Sequence, residues 1–194
     1  MMRLKVILLG AALVGMTIVA PLNSVQAEVC PKGNVVPPAK PTRIIRNQRF
    51  AYRFSIPENY RTMAIRENGI LVFDPSSFER AQCLLRNRAP TEYPASISVY
   101  AEPVNPGNRS LSTLVKQKPT AKIVETTTAA NQPAVVYTTE VMGYLKNVSF
   151  LTPDRRYMIT ISVPYQYSGG KWMPSRIFEE VFKTVLSTFT FVRG

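Results

Sequence analysis

The chain reads as an α+β fold, an antiparallel β-sheet with helices packed on it, and three observations predict this. Several segments alternate apolar and polar residues at the two-residue period of a strand, among them Phe50 to Ile56 and Tyr157 to Val163. Most neighbouring segments of this kind are separated by short turn sequences, which join antiparallel strands. Near the end the spacing changes: Ile177, Phe178, Val181, Phe182, Val185, Leu186 and Phe189 recur at three and four residues, with Glu179, Glu180 and Lys183 pointing away. About seven strands and two or three helices result, a layered α+β domain with no internal repeat and no second domain.

The first 27 residues stand outside that fold. Arg3 and Lys5 give a positive start, Val6 to Ala20 an apolar run, and Val25-Gln26-Ala27 a small-residue cleavage pattern. The run is shorter than the roughly 20 residues that span a bilayer, so a cleaved secretory signal over 1–27 is expected, with an uncleaved anchor as the alternative. Cys30 does not read as a lipidation site, because Ala27-Glu28-Val29 does not put a small residue directly before it. Cleavage would leave 167 of the 194 residues, the size of one domain, and loss of Arg3 and Lys5 would take the net charge from +12 to +10. Such an excess favours attraction to anionic partners and says nothing about fold. The chain has two cysteines, Cys30 and Cys83. In an exported protein they suit one intramolecular disulfide, stabilising by roughly 4 kcal/mol in the chain-entropy picture; two buried thiols are the alternative. Their spacing is neither CxxC nor a zinc pattern.

From Glu28 to Asn47 the chain is proline-rich and without periodicity, so 28–47 is expected to be an extended, partly mobile basic leader to a single domain over 48–194. Lys40, Arg43, Arg46, Arg49 and Arg53 lie close to one another here. Arg43, Arg46, Arg49 and Arg53 are the candidate binding residues, since guanidinium suits bidentate contacts to carboxylates and phosphates. The competing reading is a solvated stretch that binds nothing. Phe50, Tyr52, Phe54 and Ile56 then form a strand ending at Pro57, and Tyr60 to Arg66 a second, before the turn Glu67-Asn68-Gly69. Ile70 to Phe73 is continuously apolar, as in a strand covered on both faces. Asp74 or Ser76 can cap a helix, Ser76 with Glu79 fitting a capping box, so Phe78 to Arg86 reads as a short helix carrying Cys83, with a strand continuation as the alternative.

Ser96 to Glu102 alternates again and stops at Pro103 and Asn105-Pro106-Gly107. Ser110 caps a short helix with a Leu111, Leu114, Val115 stripe, ended by Pro119. Ala121 to Thr127 and Val135 to Met142 are β-branched strands around a turn at Ala129 to Pro133. Asn147 to Thr152 and Arg156 to Val163 form a hairpin about Pro153-Asp154, and Phe189 to Val192 is a last short strand.

The order of these elements resembles the PsbP family, the extrinsic lumenal proteins of photosystem II and their relatives. The resemblance rests on Phe50-x-Tyr52-x-Phe54-Ser55-Ile56-Pro57-x-x-Tyr60, on Ile97-Ser98-Val99-Tyr100 with Ser110-Leu111 after it, and on Tyr157 to Val163 with Phe178 to Phe189-Thr190-Phe191. It covers roughly Arg49 to Val192. It implies an α/β/α sandwich, a cyanobacterial or plastid-type origin, a periplasmic or thylakoid-lumenal location and a non-enzymatic accessory role, for which photosynthesis is one setting.

The chain contains no histidine, which rules out Ser-His-Asp and Cys-His arrangements. Glu179 and Glu180 are adjacent on a helix and splay apart, and no Gly-rich phosphate loop is present, Gly169-Gly170 reading as a turn. The twelve acids are thinly spread, so no catalytic set, metal site or cofactor is expected. Binding is the favoured class, to an acidic protein or an anionic membrane surface, and not to nucleic acid, which an exported protein does not meet. Tyr165, Tyr167 and Trp172 are a candidate aromatic patch. The competing class is a small periplasmic hydrolase or ligand-binding enzyme that uses a carboxylate in a cleft.

Overall fold

A computed structural model describes residues 30, 32–66, 68–88, 93–105, 107, 110–140, 143–168, 171–174 and 176–192. The expected signal over 1–27 lies outside them, as do Glu67, Pro106, Met142 and the Gly169-Gly170 turn. In chain order the elements are β1 (Thr42–Asn47), β2 (Tyr52–Pro57), β3 (Arg61–Ile65), β4 (Gly69–Phe73), α1 (Pro75–Arg86), β5 (Ile97–Pro103) and α2 (Leu111–Lys116). Next come β6 (Lys122–Ala129), β7 (Gln132–Glu140), β8 (Tyr144–Leu151), β9 (Tyr157–Ser168), β10 (Lys171–Pro174), α3 (Arg176–Thr188) and β11 (Thr190–Phe191).

The architecture is α+β, with every strand pair antiparallel, but the strands form two sheets where the sequence suggested one. A small sheet runs β1-β2-β11, and a large one runs β3-β4-β5-β9-β8-β7-β6 with β10 on β9. Alternation marks Phe50 to Ile56 as a strand without naming its neighbours, and both edges of β2 are taken by short strands, β1 and β11, that do not pair with the large sheet.

The expected extended leader is likewise corrected. Its last third is β1, paired with β2 from Thr42↔Pro57 to Asn47↔Tyr52. The rest is held by specific bonds: the Val36 N–H donates to Asp74 Oδ1 (3.2 Å), the Ala39 N–H to Asn59 Oδ1 (2.9 Å), and Tyr60 Oη to the Val36 carbonyl (3.2 Å). The Cys30–Cys83 disulfide is present and joins this segment to α1, with Cα atoms 5.7 Å apart. Disulfides of this kind persist in oxidising compartments.

Helix α1 starts earlier than Phe78, with proline in its first turn and Asp74 as its cap, whose Oδ1 accepts from Ser76 N–H and Ser77 N–H. Ser76 is therefore inside the helix, and the Ser76–Glu79 capping box does not form. The β6–β7 hairpin closes on Ala130 and Asn131, both at positive φ (51° and 59°), the conformation a two-residue hairpin turn needs.

Register places the core. Val72, Ile97, Val99, Ile161, Val148 and Val136 face one side of the large sheet, where α3 and β2 cover them. On that side Phe189 is the hub: its ring lies 4.8 Å from Tyr52, 5.2 Å from Phe150 and 5.6 Å from Phe191. The other side carries Leu71 and Phe73 under α1, and Val135 and Tyr137 under α2. The layers are thus α1 and α2, the large sheet, and α3 together with the small sheet. Between α1 and α2 a buried polar chain crosses the strands: Tyr137 Oη to Ser149 Oγ (3.1 Å), and Ser149 Oγ to Thr160 Oγ1 (2.7 Å). Ser162 Oγ donates to Asn147 Oδ1 (2.7 Å) beside it. Their mutual hydrogen bonds are what allow these groups to sit in the interior.

Candidate docking surface

The four arginines singled out by sequence divide in the structure. In antiparallel pairing, directly opposed residues share a face. Tyr52, Phe54 and Ile56 point inward at 0–1% exposure, so their partners Asn47, Ile45 and Arg43 do too. Arg43 accordingly serves the interior: its Nη2 donates to the Tyr60 carbonyl (2.9 Å), while its Nε is buried without a partner. Arg46 and Arg53 are directly opposite each other on the outer face and both are exposed. Thr190 flanks Arg53 from the other edge and accepts from its Nε (3.2 Å). Ile44 and Val192 are also exposed, at 54% and 45%. Two like charges in one cross-strand pair repel, and among the described residues no ion pair engages either member.

Arg49 lies in the β1–β2 turn, exposed, with its guanidinium 5.3 Å from the centroid of the Phe50 ring. The turn is built by Asn47, whose Oδ1 accepts the Phe50 N–H (3.1 Å) and whose Nδ2 donates to Tyr52 Oη (3.1 Å). Burial pushes the Tyr52 phenol up to about 12, with the Asn47 bond partly opposing it.

Phe50 packs edge-on against Tyr157, centroids 4.9 Å apart, and the Val192 N–H donates to the Ala51 carbonyl (2.7 Å). These contacts bring the β1–β2 turn to the β8–β9 turn. Arg155, at φ 58°, and Arg156 sit there, and neither was singled out from sequence. The signal was present: Pro153-Asp154 marks the turn, and the next two residues are arginines. A cleft of about 570 Å³ lies between the two turns, lined by Arg49, Asp154, Arg156, Phe191 and Val192 among others. Asp154 is the acid in this pole. Its Oδ1 accepts from Thr152 Oγ1 and from the Arg156 N–H (3.1 Å), and the Thr152 hydroxyl foremost holds its carboxyl below the ordinary 3.8.

Three other acids have structural partners. Glu102 is paired with Lys118 (2.7 Å), Glu179 with Lys183 (3.1 Å), and Asp74 caps α1. Tyr165 stacks on Tyr144 at 6.0 Å, and Trp172 pairs with Tyr167 in register; the side chains of those last two lie outside the described residues.

No family model matches the chain, and no curated protein does. Among solved structures, it is similar to a protein of Bacteroides thetaiotaomicron VPI-5482 known from a 1.50 Å crystal structure, at 12% identity and a TM-score of 0.43 over 78% of this chain. The match covers 48% of that protein, so the chain spans about half its length. It is also similar to the solution structure of cyanobacterial PsbP (CyanoP) from Synechocystis sp. PCC 6803, at 14% identity and a TM-score of 0.44 over 89% of this chain and 99% of that one.

Proposed function

We propose that the protein is an exported, non-enzymatic accessory protein that docks through its arginine pole onto an acidic surface of a membrane complex or on anionic head groups, in a periplasm or thylakoid-type lumen. The observation that carries this is the Arg46–Arg53 cross-strand pair, two exposed guanidiniums set opposite each other in a sheet face bordered by Ile44 and Val192. Arg49, Arg155 and Arg156 add to the same end of the molecule. An anion seated between the paired guanidiniums would convert a repulsion into two charge-assisted hydrogen bonds. The disulfide and the sequence of residues 1–27 support export. A link to photosynthesis rests on the PsbP-like order of elements in the sequence.

The test is co-sedimentation of the exported protein with its native membranes across a salt series. Binding is expected at low ionic strength and release as salt rises. The double variant Arg46→Glu, Arg53→Glu should bind far more weakly while keeping its far-UV circular dichroism. Equal binding by wild type and double variant overturns the proposal.

A further inference from the structure

Strand β6 closes one end of the large sheet and pairs with β7 on one side. Its residues from Lys122 to Thr128 are all exposed, and burial begins at Ala129. Ile123 and Val124 stand among the few exposed large hydrophobics of the described residues, at 38% and 64%. Lys-Ile-Val-Glu-Thr-Thr-Thr is β-branched and free of proline, and its outer side is an open row of backbone donors and acceptors, a template for a further strand.

We propose that this edge pairs with the same edge of a second copy of the chain, antiparallel about a two-fold axis between Ile123 and Val124. The argument is charge complementarity. In that register Lys122 lies opposite Glu125 of the second copy, and Glu125 opposite its Lys122, while Ile123 meets Val124 twice. Each chain thus supplies both halves of two opposite-charge cross-strand pairs and of two apolar ones, which is what an isologous interface demands. Neither Lys122 nor Glu125 is ion-paired to another described residue within the chain. The edge carries one charge of each sign, so two strongly basic molecules meet where their local charge cancels.

The register of β6 on β7 shifts between Ile123 and Glu125: Lys122 lies opposite Thr138 and Glu125 opposite Val136, two positions on one face of β7. Lys122 and Glu125 therefore share a face, which in a regular strand they would not, and this shift is what permits them to meet across a two-fold axis. In self-pairing it falls on the two-fold, where each copy meets an identical twist. An unrelated flat strand would not match it. The axis also lies toward the Lys122 end of β6, whereas Arg155 lines the cleft at the Thr126–Thr128 end. The dimer therefore leaves both arginine poles uncovered and presents them as a bivalent pair.

Sedimentation velocity on the exported protein over a concentration series gives the test. Wild type is expected to show a reversible monomer–dimer equilibrium. Glu125→Lys turns both attractive pairs repulsive and should raise the dimer dissociation constant by at least about tenfold. The exchange Lys122→Glu with Glu125→Lys restores both pairs and should return the constant to near the wild-type value. Because both residues are exposed, these variants should fold as wild type does, which circular dichroism checks. A wild type that stays monomeric to about 1 mM, the weak end of measurable association, overturns the proposal. So does a dimer indifferent to Glu125→Lys, or one the exchange fails to restore. None of these outcomes depends on the arginine pole, whose own test is membrane binding.

Discussion

Arg46→Glu should make the protein more stable while removing half of the proposed docking pair. Arg46 and Arg53 are directly opposite in register, so their Cβ atoms are about 5 Å apart. Two long side chains splaying into water put the charges about 7 Å from each other, where the repulsion in water is about 0.6 kcal/mol. Glutamate at 46 reverses the sign and gains a similar amount, a swing of about 1 kcal/mol at low salt. Arg46→Gln, which only removes the repulsion, should give about half of that. At about 1 M salt the Debye length is about 3 Å and both gains should nearly vanish. On a domain of this size 1 kcal/mol moves Tm by about 2–4 °C. Urea unfolding of wild type, Arg46→Gln and Arg46→Glu at low and high salt measures the series. A loss of stability in Arg46→Glu at low salt, or a gain that persists in 1 M salt, refutes the facing-arginine geometry.

Three further outcomes concern the interior. Phe189→Ala should cost about 3–5 kcal/mol in chemical unfolding, because it empties the ring cluster of Tyr52, Phe150 and Phe191; a cost under about 1 kcal/mol contradicts the hub. Ser149→Ala strands the buried hydroxyls of Tyr137 and Thr160 and should cost about 1–3 kcal/mol, more than its single lost oxygen suggests. In alkali, the raised Tyr52 phenol has a definite sign. It stays protonated in the fold up to about 12, against 10.0 when exposed, so its contribution is complete below pH 10 and is lost as pH rises from 10 towards 12. Tyr60 shifts the same way through burial, then Asp74 and Glu180. Unfolding monitored by circular dichroism against pH should show stability falling across that window, and a flat profile would exclude it.

Much of the fold was legible because periodicity reports burial directly. The stripe from Phe178 to Val185 is buried as its spacing demands, and the continuous Ile70–Phe73 run serves two layers, Val72 inward and Leu71 and Phe73 under α1. Strand β1 was hidden for a physical reason: Thr-Arg-Ile-Ile-Arg-Asn packs Arg43, Ile45 and Asn47 on the inner face, so polar residues occupy core-facing positions and break the apolar alternation. Strand β10 comes after the Gly-Gly break with four residues, too few to carry a period. The arginine surface was half legible. Proximity in sequence cannot separate Arg43 from Arg46, which face opposite sides of one strand, nor join Arg49 to Arg156, more than a hundred residues away. Register did the first, and the Phe50–Tyr157 contact the second.

The outer face of the small sheet can hold opposed charges because its inner face is so firmly fixed. Tyr52, Phe54 and Ile56 are buried to within 1% of complete, each contributing roughly 1.5–3 kcal/mol by leaving water. The Arg46–Arg53 repulsion is about 0.6 kcal/mol, a small fraction of that sum. Register is locked by the same burial, since a one-residue slip would turn all three aromatic and aliphatic side chains outward. The pair therefore cannot relax by sliding the strands past each other, and its repulsion is left to the splay of the two side chains and to screening by ions.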